Sequence, residues 1–358
     1  METKKKRIGY LDALRGFTMI LVVYSHVLSF TFHGISGFSF NDIFVTFRMP
    51  LFFFLSGFLM FKPGRFTNRT DTLVFLKNKF KVQLIPTLIF TLIFCLIFQY
   101  SFKDLWFEKS KCGYWFTLTL FYFFTIYALG DYVLGRFLKG KAKLIVGVMV
   151  SLLIYAFSKY SISPACPWAD SFLCGFVGYA NLQYFLFFYM GASIKAHFHQ
   201  FNALLDRRGF LLWIIVCFVG LEFTILLPQS QDWIISTLSF SVYSLLKTFA
   251  GILGVISIFA YFRKYHLFFE NTTVGNSLQY IGQRTLDIYL IHLLMIRTNM
   301  GFVGDFLLRF HSPISELFAG ITISLLIIGL CLILSSFLRT NDVLAKVLFG
   351  KVFPSKHV

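Results

Sequence analysis

Runs of roughly twenty mostly apolar residues recur along this chain, each long enough to cross the hydrocarbon core of a bilayer as a helix. They fall near residues 11–30, 43–61, 81–100, 115–134, 143–160, 180–195, 209–228, 236–262, 283–299 and 315–337. Lipid offers no hydrogen-bond partners, so each run must satisfy its backbone internally. The expected fold is therefore all-α: a polytopic integral membrane bundle of about ten transmembrane helices. Composition agrees. Hydrophobic residues make up 57% of the chain and charged residues 14%, against about a quarter charged in soluble domains. No repeat, low-complexity tract or soluble domain interrupts the pattern. A single membrane-embedded domain over residues 1–358 is expected. The first apolar run follows Lys4, Lys5, Lys6 and Arg7, which imitates a signal peptide. It holds Asp12 and Arg15 and lacks a small-x-small cleavage site, so it reads as a retained first helix.

The net charge of +17 raises nucleic acid as a partner. The basic residues, however, come in short clusters between apolar runs, as in cytoplasmic loops that face anionic lipid, and not as one stripe that tracks phosphates. No nucleic-acid role is expected. If the N-terminus is cytoplasmic, most of the 33 Lys and Arg residues fall on cytoplasmic segments. Lys103, Lys109, Lys111, Lys159, Arg297 and Arg309 fall outside. This alternation supports a multi-pass protein of the bacterial inner membrane with both termini in the cytoplasm. The six cysteines show no CxxC spacing and no metal-spaced cluster, so no metal is expected. Cys166 and Cys174 share an outer loop, where they are either disulfide-bonded or free.

Ionisable residues inside spans are costly and point to function. The first span, LDALRGFTMILVVYSH, carries Asp12, Arg15 and His26. Eleven residues separate Arg15 from His26, which on a helix means about 16 Å along the axis and about 20° around it. One face thus shows a cation near the cytoplasmic end and an imidazole towards the outer end. Snorkelling of Arg15 and a carbonyl partner for His26 is the bland alternative. Arg48 lies in FRMPLFFFLSGFL at a depth like that of His26. Pro50 is expected to disturb the start of that helix and free backbone groups. Glu222 and Lys247 lie in the outer half of two later spans, where mutual pairing is the expected role. Tyr289 and His292 are helical neighbours in RTLDIYLIH, and His292 is a second candidate base. His197 and His199 read as solvated loop residues.

These segments resemble the acyltransferase-3 family of bacterial membrane acyltransferases, over essentially the whole chain. Arg15 and His26 match the family's Arg-x10-His spacing. FRMPLFFFLSGFL looks like its second-helix signature, and IGQRTLDIYLIH like its late-helix signature. Trp115 and Phe116 are a weaker echo of its fourth helix. The resemblance implies transfer of an acyl group, acetyl or succinyl, from acyl-CoA as co-substrate to a hydroxyl of a cell-envelope or secreted carbohydrate. It implies no bound cofactor. Under it, His26 is the base, Arg48 stabilises the oxyanion or orients the acceptor, and Arg15 binds the donor. Asp12, Glu222, Lys247, Tyr289 and His292 are supporting candidates. Loops 31–42 and 161–180, with Trp168 and Tyr179, are expected to frame the acceptor mouth. Some family members carry a further extracytoplasmic esterase-like domain, whose task is expected here to be absent or done by another protein. The partners expected are the donor, the carbohydrate, the bilayer and, as an option, a second copy of the chain. The competing readings are a transporter of a lipid-linked or glycan intermediate and a scaffold without chemistry of its own.

Overall fold

The computed structural model describes residues 7–31, 39–160, 172–226, 228–296, 301–309 and 312–350. Among these residues every regular element is a helix. In chain order they are α1 (Gly9–Thr31), α2 (Phe40–Met60), α3 (Arg69–Lys79), α4 (Ile85–Phe98), α5 (Phe102–Phe107), α6 (Trp115–Phe137), α7 (Gly140–Tyr160), α8 (Phe185–Ala196) and α9 (Phe198–Leu205). There follow α10 (Phe210–Leu226), α11 (Pro228–Lys264), α12 (His266–Asn271), α13 (Thr273–Gln283), α14 (Thr285–Ile296), α15 (Gly301–Leu308), α16 (Pro313–Leu338) and α17 (Asp342–Phe349). Among the described residues seven stretches are long and apolar enough to cross a membrane, and α9 with α10, bent by 85°, is either an eighth, broken span or a re-entrant loop. This is the polytopic all-α fold that the apolar runs require.

Two expected spans take another form. The segment at 180–195 begins as a 3-10 turn over Tyr179–Tyr184, after Gly178 in the left-handed region at φ 65°, and continues as the twelve-residue α8. The buried Ser158 hydroxyl explains the departure. It bonds the carbonyls of Tyr179 and Ala180 and accepts from the Gln183 N–H, so a side chain replaces the helical ladder there. The segment at 283–299 is shorter than expected: its described part is the twelve-residue α14, set off from α13 by a break at its start. Arg284 sits between α13 and α14 at φ −113°, its N–H turned back to the Ile281 carbonyl. Cys166 and Trp168, the Cys174 side chain and Arg297 lie outside the described residues. Tyr179 does not face an acceptor mouth: it is buried with Val177 and Leu182.

The described residues form two compact units. The first holds residues up to Leu55, His197–Thr285 and Ile296–Ile328. Its α1 packs on α13, α12 and α11. The crossing of α1 and α13 brings backbone against backbone. A Cβ on Gly16 would overlap the Leu278 carbonyl, and one on Gly282 would overlap the Asp12 carbonyl. Membrane helices associate by such close approach, since burying apolar surface gains little in lipid. At one edge of the unit, Arg263 grips Asp206 in the bend between α9 and α10 through two bonds of 2.7 and 3.0 Å.

The second unit holds Ser56–Ala196, Leu286–Met295 and the residues from Gly329 on. Here α2 meets α8 where Gly57 admits the Phe188 carbonyl. Asp287, at the start of α14, is almost fully buried and held by Arg339 at 2.7 and 2.8 Å and by Ser335 at 2.5 Å. A buried carboxylate met by a two-pronged guanidinium is a fully satisfied structural pair. Close by in sequence, α17 docks on α4 through Phe349 against Phe90.

If the α1–α13 crossing holds the first unit together, Gly282→Ala should be costly although the added group is one methyl. Overpacking of this kind costs about 1–3 kcal/mol. Thermal unfolding of the detergent-purified protein should show a clear drop in Tm. Gly329→Ala, where an added Cβ meets nothing within 4 Å, should leave Tm unchanged or slightly raised.

Candidate active site

The first unit carries most of the polar residues singled out by sequence. On α1, Arg15 donates from Nη2 to the Thr285 hydroxyl at 2.8 Å, and its Nη1 lies 3.6 Å from Asp12 Oδ1. Thr285 is the first residue of α14, so the guanidinium sits at the break in the ninth apolar run. The Gly16–Gly282 contact beside it sets the two helices close enough for this bond. Its side chain stays 31% exposed, which leaves room for an anionic ligand. Asp12 Oδ2 is buried and makes no hydrogen bond among the described residues.

His26 is the one residue from Leu21 to Leu28 that is not buried. Its ring stacks on Phe30, one helical turn on, at 5.8 Å and 10°. Between Arg15 and His26 on the same face lie Met19 and Val22, both buried. The face is therefore open at two levels with an apolar belt between them.

Arg48 is half-buried and donates to the Asn41 side chain at 3.4 Å. Pro50 does not disturb the start of its helix. The helix begins at Phe40 and runs through Pro50 to Met60. The proline falls mid-helix, where it withholds the N–H that the Thr46 carbonyl would otherwise receive. Glu222 is buried on α10 with Thr46 against its carboxyl, and its Oε1 has no hydrogen bond among the described residues. It does not pair with Lys247. Among the described residues no ion pair joins them, although Lys247 is near enough to attract the Glu222 carboxylate; Lys247 is exposed, with its ammonium 4.9 Å from the Tyr243 ring. Similar depth brings the two charges near each other without closing them into an ion pair. Lys247 instead has the stem-and-head geometry of a snorkelling lysine.

Sequence reasoning passed over Glu316. It lies in the first turn of α16, 1% exposed, and accepts from the Tyr24 hydroxyl at 3.3 Å and from the Ser39 hydroxyl. Its Oε2 is buried with no hydrogen bond among the described residues. An acid in a first helical turn reads as a partner of the helix dipole. Nothing in the sequence pairs it with α1 and the residue before α2.

In the second unit, Tyr289 and His292 do stand together, with rings 5.9 Å apart. The Tyr289 hydroxyl donates to the Gly113 carbonyl at 2.8 Å. His292 is fully buried with Nδ1 2.9 Å from the Ile288 carbonyl, which fixes the proton on Nδ1. Trp115 stacks on Tyr184 at 6.0 Å and Phe116 meets Tyr289 at 5.7 Å. His197 and His199 are exposed. Among the described residues no three His, Cys, Asp or Glu side chains group as metal ligands.

No curated protein and no solved structure matches this chain. The acyltransferase-3 family model, described as an acyltransferase domain, matches residues 8–336. That match covers most of both units and every candidate site residue from Asp12 to Glu316, and the chain belongs to this family of acyltransferases.

Proposed function

We propose that this membrane acyltransferase moves an acetyl or succinyl group from acyl-CoA to a hydroxyl of a cell-envelope or secreted carbohydrate, with His26 as the base. One observation carries the reading: the face of α1 that holds Arg15 at the helix break opens again about 16 Å further along at His26. A donor made in the cytoplasm and an acceptor outside would each meet one of these levels. The orientation, with both termini in the cytoplasm of a bacterial inner membrane, rests on the distribution of Lys and Arg.

Arg15 suits a phosphate or carbonyl of the donor, because its planar fork offers several donors at once. Asp12 holds that fork in place. His26 takes the proton from the acceptor hydroxyl, whose oxygen attacks the thioester carbonyl. Arg48 meets the charge that develops on the carbonyl oxygen. The tetrahedral intermediate collapses, the C–S bond breaks, and the CoA thiolate leaves with the proton held by His26. The free Oε2 of Glu316 suits an acceptor hydroxyl that arrives at the start of α16. His292 is the poorer base, since a fully buried ring cannot touch a substrate without rearrangement. The buried Met19–Val22 belt favours a small acyl group.

The break between α13 and α14 also favours a second reading. Transporters bind substrates at interrupted helices. A flippase would move a lipid-linked glycan without releasing CoA, so one assay separates the two.

Purified protein is incubated with radiolabelled acetyl-CoA or succinyl-CoA, with and without an extract of surface glycans. Glycan-stimulated CoA release is expected. His26→Ala should lower turnover by about 10²–10⁴-fold. Retention of more than about a tenth of the activity would remove His26 as base. Arg15→Lys should raise the donor KM more than it lowers kcat, and an unchanged donor KM would count against its assigned contact. For Glu316→Gln, loss of a charge-assisted hydrogen bond should raise the acceptor KM about tenfold or more, while donor binding stays intact. No CoA release by folded wild type would favour the transporter.

A further inference from the structure

Lys111 is a buried cation that the proposed chemistry does not use. It lies between α5 and α6 in the second unit and is 2% exposed. Lysine is almost never buried without a partner, yet among the described residues it makes no ion pair. Its Nζ donates instead to the Trp106 carbonyl at 2.8 Å and to the Gly175 carbonyl at 2.5 Å, 5.5 Å from the Trp106 ring. Burial pushes its pKa down to about 8. One side chain thus ties the end of α5 to a segment 64 residues away. The same two segments touch where Gly175 admits the Phe107 carbonyl.

The backbone around Lys111 is unusual. Lys111, Cys112 and Gly113 are all left-handed, at φ 46°, 49° and 98°. Two of these residues carry side chains, for which the left-handed region is unfavourable. Such a conformation persists only where the surroundings over-determine it. Its product is a carbonyl aimed at α14. Gly113 accepts from the Tyr289 hydroxyl and lies so close to Leu293 that an added Cβ would overlap that side chain. The next residue, Tyr114, donates to the Leu290 carbonyl at 3.1 Å and sets its ring edge-on to Tyr289 at 6.2 Å. Tyr289 in turn faces His292, one helical turn on.

We propose that Lys111 is a positioning residue for acyl transfer: by clamping the left-handed Lys111–Gly113 turn to Gly175, it fixes the Gly113 carbonyl on Tyr289 and so orients the Tyr289–His292 face of α14. This rests on the reading of the protein as an acyl-CoA-dependent transferase and adds a loop lysine that touches no substrate. Lys111→Met keeps length and apolar bulk but removes both hydrogen bonds. Lys111→Arg keeps the donors.

The test is a mutant cycle of Lys111→Met with Tyr289→Phe, read in the CoA-release assay on full-length protein. A misplacement of about 1 Å that starts far from the chemistry can cost about 100-fold. Lys111→Met should lower kcat by about 10- to 100-fold with the donor KM nearly unchanged. Lys111→Arg should recover most of the rate. The double variant should be no slower than the slower single variant, since Lys111 acts through Tyr289. Multiplying losses, or a Lys111→Met rate like wild type, would overturn the proposal. A second readout does not depend on turnover. Fluorotyrosine placed at position 289 gives a 19F resonance that should move or split in Lys111→Met and hold in Lys111→Arg. An unmoved resonance overturns the clamp. A resonance that moves in Lys111→Met as expected, together with a wild type that turns over no acyl-CoA, sinks the transferase reading and leaves the clamp standing.

Discussion

The backbone contact at Gly16 and Gly282 is the constraint on which the first unit depends. In water a helix pair can be held by apolar burial and tolerate some slack. In lipid, association rests on close van der Waals contact and on hydrogen bonds that lipid cannot supply. Two glycines let the Asp12 and Leu278 carbonyls reach the opposing helix. That approach brings Arg15 within 2.8 Å of Thr285. The position of the guanidinium at the break in the ninth run is thus a consequence of two missing side chains. A larger residue at either place would separate Arg15 from its hydroxyl before it touched any reacting group.

Buried charge divides into two kinds here. Asp287 is satisfied by Arg339 and Ser335, and Lys111 by two carbonyls. These groups have what burial demands and need no ligand. Glu222 and Glu316 are equally buried, yet each keeps one oxygen without a hydrogen bond among the described residues. Such an atom costs about 1–3 kcal/mol. Evolution tolerates that cost where something else offsets it, and a substrate hydroxyl is a suitable donor. Glu316 has the stronger case, because Tyr24 and Ser39 already hold its other oxygen and so fix the direction of the free one.

What could be read from the sequence follows from which forces are local. Hydropathy is local, so the all-α membrane fold and most of the long helices were legible, and the quoted motifs led to the family that the match over residues 8–336 bears out. The exceptions trace to distant groups. Ser158 reaches across to unmake the helix near residue 180, and no count of apolar residues at 180–195 contains that hydroxyl. Glu222 and Lys247 share a depth, which rise per residue gives, and attract each other, but whether they close into an ion pair is decided by packing, and among the described residues they do not. Pro50 is expected to disturb the start of its helix, whereas α2 begins ten residues earlier and runs on through it. Tyr289 beside His292 was legible, since i,i+3 spacing is local. Glu316 and Lys111 were not, because their partners lie hundreds and tens of residues away in the chain.

The two histidines show why exposure must be weighed with polarity. Both lie in apolar helices, and either could be named a base on residue type alone. A general base must reach the proton it removes and must hold a free lone pair when it does. His292 has a fixed tautomer, but it is fully buried and sits under Tyr289. His26 breaks an otherwise buried run from Leu21 to Leu28 and faces a half-open side, with its ring braced on Phe30. Bracing limits rotation while half-exposure admits a substrate, which fits the role of base proposed for it. His292 better fits a supporting role, its orientation set through Tyr289 and the loop that grips it.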